Sequence, residues 1–404
     1  MADDWDVIVA GGGVAGCAAG RLLANGGLKV LILEKGHHPR HHIGESLLPA
    51  SMPILADLGI SREQMALSHQ PKYGARFADP ISGHVETFEF AGCGGYPPAY
   101  QVLRSVFDEQ IKTLAIAGGC DVREGVGVTQ WETSADAVNV RTTDQRVHGA
   151  RFFVDASGRA RLDGPHAPAR QINNRFGHLA IYNYYRQLPA GEPDERSYIT
   201  VHLIDNGWIW FIPLKDEITG VGVVLTREGI QPGIGCEALF EFAARQQPAL
   251  WERLRDAGPM GEYRTASDYS YRSERRFGSR WAKVGDAGGF LDPIFSSGVH
   301  LALSSAHMAA GAIQAWLISG SEELFAQYAA MMHWAEEIFE AFIERFYHRE
   351  LIRGLFFAPH KPPAMRDAIT NLLSGYVWNM NNPMISMLGA KLDRPLWAPG
   401  IAIA

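Results

Sequence analysis

The chain has 404 residues, which predicts two or three domains, and its 47% hydrophobic and 20% charged residues exclude wholesale disorder. Its 37 basic and 44 acidic residues give a net charge of −7, so no basic field points to nucleic acid as a partner. The four cysteines are scattered and form no CxxC pair, which argues for reduced thiols and against a disulfide scaffold or a zinc ribbon.

The N-terminal segment predicts a strand–helix–strand unit. Its first residues are acidic where a signal peptide is basic, so we expect a cytoplasmic protein with no membrane span. An apolar run at residues 6–10 enters a glycine turn, a helical stretch follows from Ala15 to about Asn25, and a second apolar run occupies 29–33. Continuous apolar strands on either side of a helix indicate a parallel sheet covered on both faces.

The glycine turn reads Gly-Gly-Gly-Val-Ala-Gly and fits the GxGxxG pattern of dinucleotide sites. Gly11 makes the tight turn, Gly13 allows backbone N–H groups to approach a pyrophosphate, and Gly16 permits close packing of helix on sheet. We place Ala15 in the same cofactor site. Glu34, at the end of the second strand, is positioned to accept hydrogen bonds from ribose hydroxyls, which favours FAD or NAD over NADP.

Farther along the chain the pattern of elements changes twice. Residues 106–117 have a helical period, and strands are expected at 120–122 and 151–154. Alternating, aromatic-rich runs between about 181 and 224 predict an antiparallel sheet, and the chain turns helical from about 322. We predict an α/β fold with an interleaved Rossmann-type domain (1–75, 100–175 and 262–320), an antiparallel-sheet substrate domain (76–99 and 176–261) and a C-terminal helical region (321–404).

Two later segments favour FAD as the dinucleotide. Residues 155–158 read Asp-Ala-Ser-Gly after a strand, and 285–287 read Gly-Asp-Ala before a helix. The order of these motifs resembles that of the flavoprotein monooxygenase superfamily. The resemblance implies that Asp286 holds the ribityl chain and that Arg104 contacts FAD, although Arg104 also suits an exposed helix start. No second GxGxxG for NAD(P)H is visible, so we expect a separate flavin reductase to supply FADH2.

A tryptophan pair narrows the reaction. Residues 207–213 read Gly-Trp-Ile-Trp-Phe-Ile-Pro, and side chains two apart on a strand share a face, so Trp208 and Trp210 form an apolar wall or simply part of a core. The pattern Trp-x-Trp-x-Ile-Pro resembles the signature of flavin-dependent halogenases. In that family the wall separates the flavin, where FADH2 and O2 form a hydroperoxide, from the organic substrate.

A second signature reads Phe-x-x-Pro-x-x-Ser-x-Gly over residues 290–298, at the start of a helix. The resemblance implies FAD contacts at Pro293, Gly298 and Val299. It also implies a chloride or bromide site at the amides of Ser297 and Gly298, since a helix N-terminus attracts anions. Ordinary contact of the same amides with the flavin is the alternative.

Lys72 lies in a Lys-x-Gly-Ala context that resembles the active-site lysine of the halogenases. Its ammonium would hydrogen-bond hypohalous acid, or its amine would form a haloamine, before the halogen passes to the substrate. Glu45 and Ser46 resemble a family segment that lines the flavin. A metal site in the histidine-rich segment 37–42 is not expected, because its proline and its position after the second strand indicate a solvated loop or a flavin-adjacent segment.

The resemblance is nearest to halogenases that act on carrier-tethered pyrroles and on phenols. Phe295 stands where tryptophan halogenases keep a glutamate beside the lysine, which argues against tryptophan as the substrate. Glu45, Asp268 and Tyr271 are unranked candidates for a substrate base. A flavin-dependent aromatic hydroxylase or related reductase is the first alternative, and a non-catalytic flavoprotein is the second. The oligomeric state is left open.

Overall fold

The structure is a computed structural model that describes residues 5–92, 98–160, 162, 170–173, 177–189, 191–267, 270–358 and 360–389. Its strands are β1 (Trp5–Ala10), β2 (Val30–Glu34), β3 (Gln70–Lys72), β4 (Gly74–Ala78), β5 (Val85–Glu89), β6 (Ala99–Gln101), β7 (Asp121–Glu124), β8 (Val128–Thr133), β9 (Val138–Thr142), β10 (Val147–Asp155), β11 (Arg170–Ile172), β12 (Leu179–Arg186), β13 (Tyr198–Ile204), β14 (Gly207–Pro213), β15 (Ile218–Leu225), β16 (Arg264–Ser267), β17 (Tyr271–Ser273), β18 (Phe277–Gly278), β19 (Trp281–Lys283) and β20 (Gly289–Phe290). Its helices are α1 (Val14–Asn25), α2 (Met52–Asp57), α3 (Arg62–Ser68), α4 (Arg104–Ala117), α5 (Cys236–Ala244), α6 (Pro248–Leu254), α7 (Ser297–Ser319), α8 (Glu323–Tyr347), α9 (Arg349–Phe356), α10 (Pro363–Leu373) and α11 (Pro383–Gly389).

The first sheet follows the order β18-β19-β10-β1-β2-β7, and β9 and β8 extend it beyond β10. β1 pairs in parallel with β2 and β10, β2 with β7, and β10 with β19. All five residues of β2 are buried, as an interior strand of a parallel sheet requires. The predicted strand–helix–strand unit and the α/β fold class are therefore confirmed.

The two faces of this sheet are covered differently. Helices α1, α4 and α7 pack on one face, where α1 buries Cys17, Ala18, Ala19 and Leu23. Trp131 of the β8–β9 hairpin packs on the other face and stacks on Phe153, with ring centroids 4.9 Å apart. The second cover is thus an antiparallel ribbon rather than the helical layer typical of parallel sheets.

The second sheet has seven strands in the order β16-β12-β15-β14-β13-β4-β5. Its pairs are antiparallel except β4 with β13, which run parallel, as the long connection between them allows. Along β14, Ile209 and Phe211 join the cluster beneath α5 and α6, whereas Trp208, Trp210 and Ile212 face the larger core. The strands of this sheet span Gly74–Glu89 and Leu179–Ser267, slightly beyond the predicted bounds of the substrate domain.

The C-terminal helices are packed onto the rest of the fold. α8 lies against α7, and the amide of Ala50 donates to the carbonyl of Ser374, just after α10. Among the described residues α7 alone is long and apolar enough to cross a membrane. Half of its most apolar window is buried inside the structure, and a core helix passes the same test of length and composition.

Candidate active site

A cavity of about 540 Å³ opens where β1, β2 and β10 end and α7 begins, and we call it the cleft. Most of the residues predicted for the cofactor line it, together with both tryptophans: Gly11, Gly13, Ala15, Glu34, Glu45, Ser46, Arg104, Asp286, Pro293, Gly298, Val299, Trp208 and Trp210. Gly16, Ser297 and Lys72 are not among the lining residues. The sequence motifs therefore converge on one cavity, with the lysine outside it.

The glycine turn leaves no room for side chains. Gly11 has a φ of +113°, and a Cβ there would lie 2.2 Å from the carbonyl oxygen of Ala156. At Gly16 a Cβ would lie 1.9 Å from the carbonyl oxygen of Gly11. The turn therefore brings bare backbone to the floor of the cleft at the start of α1, a geometry that fits a dinucleotide pyrophosphate.

Glu34 is 2% exposed and fixed beside this turn. Its Oε2 accepts a hydrogen bond from the amide of Gly12 at 2.7 Å, and its Oε1 accepts one from Gly36 at 2.8 Å. Arg40 pairs with the same carboxylate, with Nη1 3.2 Å from Oε1, and also lines the cleft. The sequence pattern predicts a solvated loop or a flavin-adjacent segment around Arg40, but it does not single out Arg40 as a contact.

Arg104 and Asp286 lie along the cleft wall. Arg104 donates to both oxygens of Asp108, at 2.7 and 2.9 Å, and to the carbonyl of Ile43 at 2.5 Å. It is a buried residue, so the exposed-helix alternative is wrong. Burial raises the pKa of Asp286 to about 6, and the positive charges of Arg104 and two other arginines oppose that rise.

Glu45 and Ser46 form another part of the wall. Burial raises the pKa of the Glu45 carboxyl, and the hydroxyl of Tyr184, which donates to its Oε1 at 2.7 Å, opposes the rise. The Ser46 hydroxyl is buried and has no hydrogen-bond partner within the described part of the chain. A buried hydroxyl without a partner beside a large cavity fits a polar contact with a bound group. Tyr184 was missed, since one tyrosine in an aromatic strand carries no distinctive signal.

The tryptophan pair faces the cleft as the strand pattern predicted. Trp208 and Trp210 are 2% and 3% exposed, and their ring centroids lie 5.8 Å apart. A Cβ at Gly222 on β15 would lie 2.2 Å from Trp210, so glycine there makes room for the indole. Trp208 Nε1 also donates to the hydroxyl of Tyr347 at 2.9 Å, a contact that the sequence reading missed.

The start of α7 borders the cleft. Ser296 adopts a left-handed conformation with a φ of +57°, and α7 begins at Ser297. Gly298 lies on the cavity surface, where a Cβ would meet nothing within 4 Å, whereas the Ser297 side chain is only 1% exposed. Ser296 and Gly298, rather than the Ser297 side chain, thus face the cavity.

Lys72 is almost completely enclosed, with 1% exposure. It ends β3, which pairs with β6, and its Nζ donates to the carbonyl of Leu47 at 2.9 Å. The ring of Phe90 lies 5.2 Å from Nζ. Burial lowers the pKa of Lys72 to about 7. Leu47 directly follows Ser46, so the residue that accepts the lysine's hydrogen bond is adjacent in sequence to the cleft wall.

The remaining candidates are placed as follows. Phe295 stacks on Phe342 with ring centroids 4.1 Å apart, in a buried aromatic cluster. Tyr271 donates to the carbonyl of Asp286 at 2.8 Å, and Asp268 lies outside the described residues. Within the described ranges, no group of three or more His, Cys, Asp or Glu side chains could hold a metal ion.

Comparisons with known proteins identify the family of the chain. The profile of the tryptophan halogenase family matches residues 6–96 and 81–354. The chain is 30% identical over 407 residues to the 1H-pyrrole-2-carbonyl-(peptidyl-carrier protein) chlorinase of Pseudomonas fluorescens, covering 93% of this chain and 90% of the relative. It is 33% identical over 329 residues to tryptophan 2-halogenase of Chondromyces crocatus, covering 79% of this chain but 62% of that relative.

The fold is shared with solved structures as well. A flavin-dependent brominase superposes with a TM-score of 0.84 at 27% identity. Its triple mutant superposes with a TM-score of 0.83 at 26% identity. Each alignment covers 96% of this chain and 98% of the brominase. The α/β architecture is therefore the FAD-binding Rossmann fold of the halogenases. The chain belongs to the tryptophan halogenase family, the flavin-dependent halogenases, which are oxidoreductases that use FAD and a halide.

Proposed function

We propose that this chain makes hypohalous acid in the cleft and that Lys72 directs the halogen onto an electron-rich aromatic ring. The observation that carries the proposal is the enclosure of Lys72, whose Nζ donates a hydrogen bond to the carbonyl of Leu47 next to the cleft wall. A lysine is almost never fully buried without a reason. An enclosed amine one residue from the cofactor cavity is suited to receive a small reactive molecule and to shield it from water.

The cleft fits FAD by its glycine turn, its buried carboxylate at Glu34 and the buried hydroxyl of Ser46, which has no hydrogen-bond partner among the residues that the structure describes. When bound as FADH2, FAD supplies the two-electron chemistry by which O2 oxidises the halide. The amides around Gly11 and Gly13 would hold the pyrophosphate, Glu34 the ribose, and Asp286 the ribityl chain. Flavin-dependent halogenases generally need a separate flavin reductase, and we expect one to supply FADH2 here.

The first turn of α7 would hold the halide. The N-terminus of this long helix carries free backbone N–H groups and a positive dipole end, which favour an anion. Gly298 presents such an amide to the cavity, and the absence of a side chain leaves space for an ion. The amide of Ser297 is the second donor that we propose.

The tryptophan wall would keep the aromatic substrate away from FAD. Trp208 and Trp210 both line the cavity with apolar ring surface, and the backbone of β14 behind them is buried. Hypohalous acid is far smaller than an aromatic substrate. The wall thus separates the two reactions, one on the cleft side and one on the lysine side.

The pKa of about 7 for Lys72 allows both proposed roles of its side chain. Near neutral pH the ammonium and the free amine are both populated, because burial disfavours the charged form. The ammonium would hydrogen-bond hypohalous acid and polarise it toward the ring. The free amine would instead take up the halogen as a haloamine.

We propose a pyrrole or a phenol as the substrate, free or tethered to a carrier protein. Phe295 places an aromatic ring, stacked on Phe342, where a glutamate would be expected beside the lysine in a tryptophan halogenase. The carrier-protein chlorinase is matched over 90% of its length, whereas tryptophan 2-halogenase is matched over 62%. Both observations favour the substrate class of the chlorinase.

The test is an assay with a flavin reductase, NADH, FAD, O2 and either bromide or chloride. Phenol and pyrrole probes are offered free and on a phosphopantetheine arm, and products are read by mass spectrometry. We expect a halogenated product in wild-type protein and a loss of about 100-fold or more in Lys72→Met. Lys215→Met is the control, since Lys215 also donates to a backbone carbonyl, that of Ala66, but is only half-buried, and Ala66 does not adjoin a residue of the cleft wall.

Three results would contradict the proposal. Oxygenated product without halide dependence would identify an aromatic hydroxylase. Oxidation of FADH2 without any organic product from free or tethered probes would identify a non-catalytic flavoprotein. Equal halogenation by wild type and Lys72→Met would leave the halogenase assignment standing but remove the lysine from the mechanism.

A further inference from the structure

We propose that Tyr347, held by Asp292 and His178, is a positioning residue that fixes the indole of Trp208 in the wall of the cleft. The inference rests on the proposed function, because the wall role of Trp208 comes from it. None of these three side chains belongs to the GxGxxG turn, the Trp-x-Trp pair or the lysine motif.

Tyr347 joins Trp208 to the C-terminal helical region. It is the last residue of α8, and its hydroxyl accepts a hydrogen bond from Trp208 Nε1 at 2.9 Å. The same hydroxyl donates to Asp292 Oδ2 at 2.9 Å. The single tyrosine proton is thereby assigned to the aspartate, so the oxygen is free to accept from the indole.

Asp292 anchors this chain of hydrogen bonds. It is 0% exposed, and His178 Nδ1 lies 2.8 Å from the same Oδ2 that Tyr347 contacts. Its other oxygen accepts from the amide of Ile294 at 3.1 Å. The ring of His178 also packs on the ring of Tyr347, with centroids 4.4 Å apart. The carboxylate is therefore fixed by backbone and side chains together, and it fixes Tyr347 in turn.

The network connects three parts of the fold at one indole. Trp208 belongs to β14 of the seven-stranded sheet, Tyr347 to α8, and Asp292 to the segment that leads into α7. Without an acceptor the buried indole N–H would lose its hydrogen bond, and the ring would favour another orientation that regains one. Such a rotation would turn the ring out of the wall. Tyr347 thus acts on the reaction through Trp208 and not by contact with substrate.

The expected consequence is a loss of coupling. If the wall opens, oxidising equivalents leave the cleft as hydrogen peroxide or as free hypohalous acid before they reach Lys72. Consumption of FADH2 would continue while halogenated product fell. This pattern differs from that of a weakened fold, which lowers the consumption of FADH2 and the formation of product together.

The test compares Tyr347→Phe with Tyr328→Phe in FAD-loaded protein. Tyr328 is a buried tyrosine of the same helix, and its hydroxyl donates to the carbonyl of Lys283, away from Trp208. Each hydroxyl makes two hydrogen bonds, that of Tyr347 with Trp208 and Asp292 and that of Tyr328 with Lys283 and Arg276, so the two substitutions are matched in kind. Protein labelled with ¹⁵N at tryptophan gives the indole N–H signals, and Trp208→Phe identifies the signal of Trp208 by its loss.

In Tyr347→Phe we expect solvent exchange of the Trp208 indole N–H to become about fivefold faster, the factor for one lost hydrogen bond. We also expect less halogenated product per FADH2 consumed and more hydrogen peroxide. Tyr328→Phe should change neither quantity. Because Tyr347 acts through Trp208, Tyr347→Phe should lower coupling no further in a Trp208→Phe background.

Unchanged indole exchange in Tyr347→Phe would overturn the inference, and so would faster exchange with wild-type coupling. Additive losses in the double variant would show that Tyr347 acts elsewhere, which also overturns it. If Tyr347→Phe does not fold, Trp208→Phe is measured instead. Wild-type yield of halogenated product per FADH2 consumed in Trp208→Phe would then overturn the inference. A wild-type protein that halogenates no probe refutes the proposed function itself, and the inference falls with it. If the wild type halogenates a probe and Tyr347→Phe forms as much halogenated product per FADH2 consumed, the inference is refuted and the proposed function is not.

Discussion

Two regions of the molecule, the cleft (the cofactor side) and the enclosure around Lys72 (the lysine side), are built by opposite means. The cleft is an open cavity of about 540 Å³, and its lining includes glycine backbone and the Glu34 carboxylate, which backbone amides hold in place. Lys72, in contrast, is 1% exposed and enclosed by side chains and by the carbonyl of Leu47. A large, constant ligand favours a preformed cavity, whereas a small reactive molecule favours an enclosure with little water.

This contrast makes the two regions sensitive to different changes. The cleft depends on close backbone approach, so an added methyl group is the severe substitution there. The lysine side depends on burial, so charge and pH are the effective variables there. Substitutions in the cleft should therefore act through backbone packing, and changes at Lys72 should act through burial and charge. The opposite results would argue against this difference between the two regions.

The largest effect is expected from Gly16→Ala. Its Cβ would lie 1.9 Å from the carbonyl oxygen of Gly11, so backbone must move at the start of α1. We expect loss of FAD binding and a decrease of about 3 kcal/mol or more in the free energy of unfolding. Flavin fluorescence titration and urea denaturation measure both. Gly311→Ala in α7, whose Cβ meets nothing within 4 Å, is the control and should not destabilise the protein.

Gly222→Ala tests the wall from the strand behind it. Its Cβ would lie 2.2 Å from Trp210, so the indole has to shift, and we expect about 2 kcal/mol of destabilisation with poorer coupling of product to FADH2. Gly220→Ala on the same face of β15 is the matched control, because its nearest neighbour, Tyr184, lies 3.4 Å away. Equal behaviour of the two variants in thermal unfolding and coupling would argue against a tightly packed wall.

The pH dependence of stability tests the enclosure of Lys72. Its pKa is lowered from 10.5 to about 7 by burial, so between these values the unfolded chain binds the extra proton. The free energy of unfolding should therefore rise with pH in this window, by up to about 1.4 kcal/mol per pH unit. Urea denaturation at several pH values above 7 should show this rise in wild type relative to Lys72→Met. Parallel curves would indicate a solvated lysine.

The smallest effect is expected at Glu34. Glu34→Gln removes the charge that accepts from the amides of Gly12 and Gly36 and pairs with Arg40. We expect FAD affinity to fall about tenfold, since a hydrogen bond to a charged group is worth roughly 1.5 kcal/mol at the low end. Titration with FAD measures it, and Glu237→Gln on the exposed side of α5 is the control. Unchanged affinity would remove Glu34 from the cofactor site.

The residues of the cofactor side could be predicted from the sequence because they lie at short, fixed spacings along the chain. Gly11, Gly13 and Gly16 lie within one turn, and a strand and a terminal acid follow at a fixed spacing. The alternation along β14 likewise predicted that Trp208 and Trp210 share a face, and the structure places both in the cleft. Short-range geometry was sufficient for these positions.

Long-range contacts were not accessible in the same way. His178 and Asp292 are 114 residues apart, and Trp208 and Tyr347 are 139 apart, so no spacing rule links them. The antiparallel ribbon over the first sheet was also missed, although Val138 and Val140 alternate with exposed residues in β9. The enclosure of Lys72 depends on β3 meeting β6 and on Phe90, which only the folded chain brings together.

The residues that line the cleft are spread widely along the chain, and this affects how the protein folds during synthesis. Its lining begins at Ala10 and ends at Ala302, and β1 lies between β2 and β10 in the sheet. A ribosome that adds roughly 5 to 20 residues per second therefore works for tens of seconds before the cavity is complete. FAD cannot guide the early stages of folding in the nascent chain. Until then, the apolar strands β1 and β2 depend on chaperones or on rapid local packing to avoid aggregation.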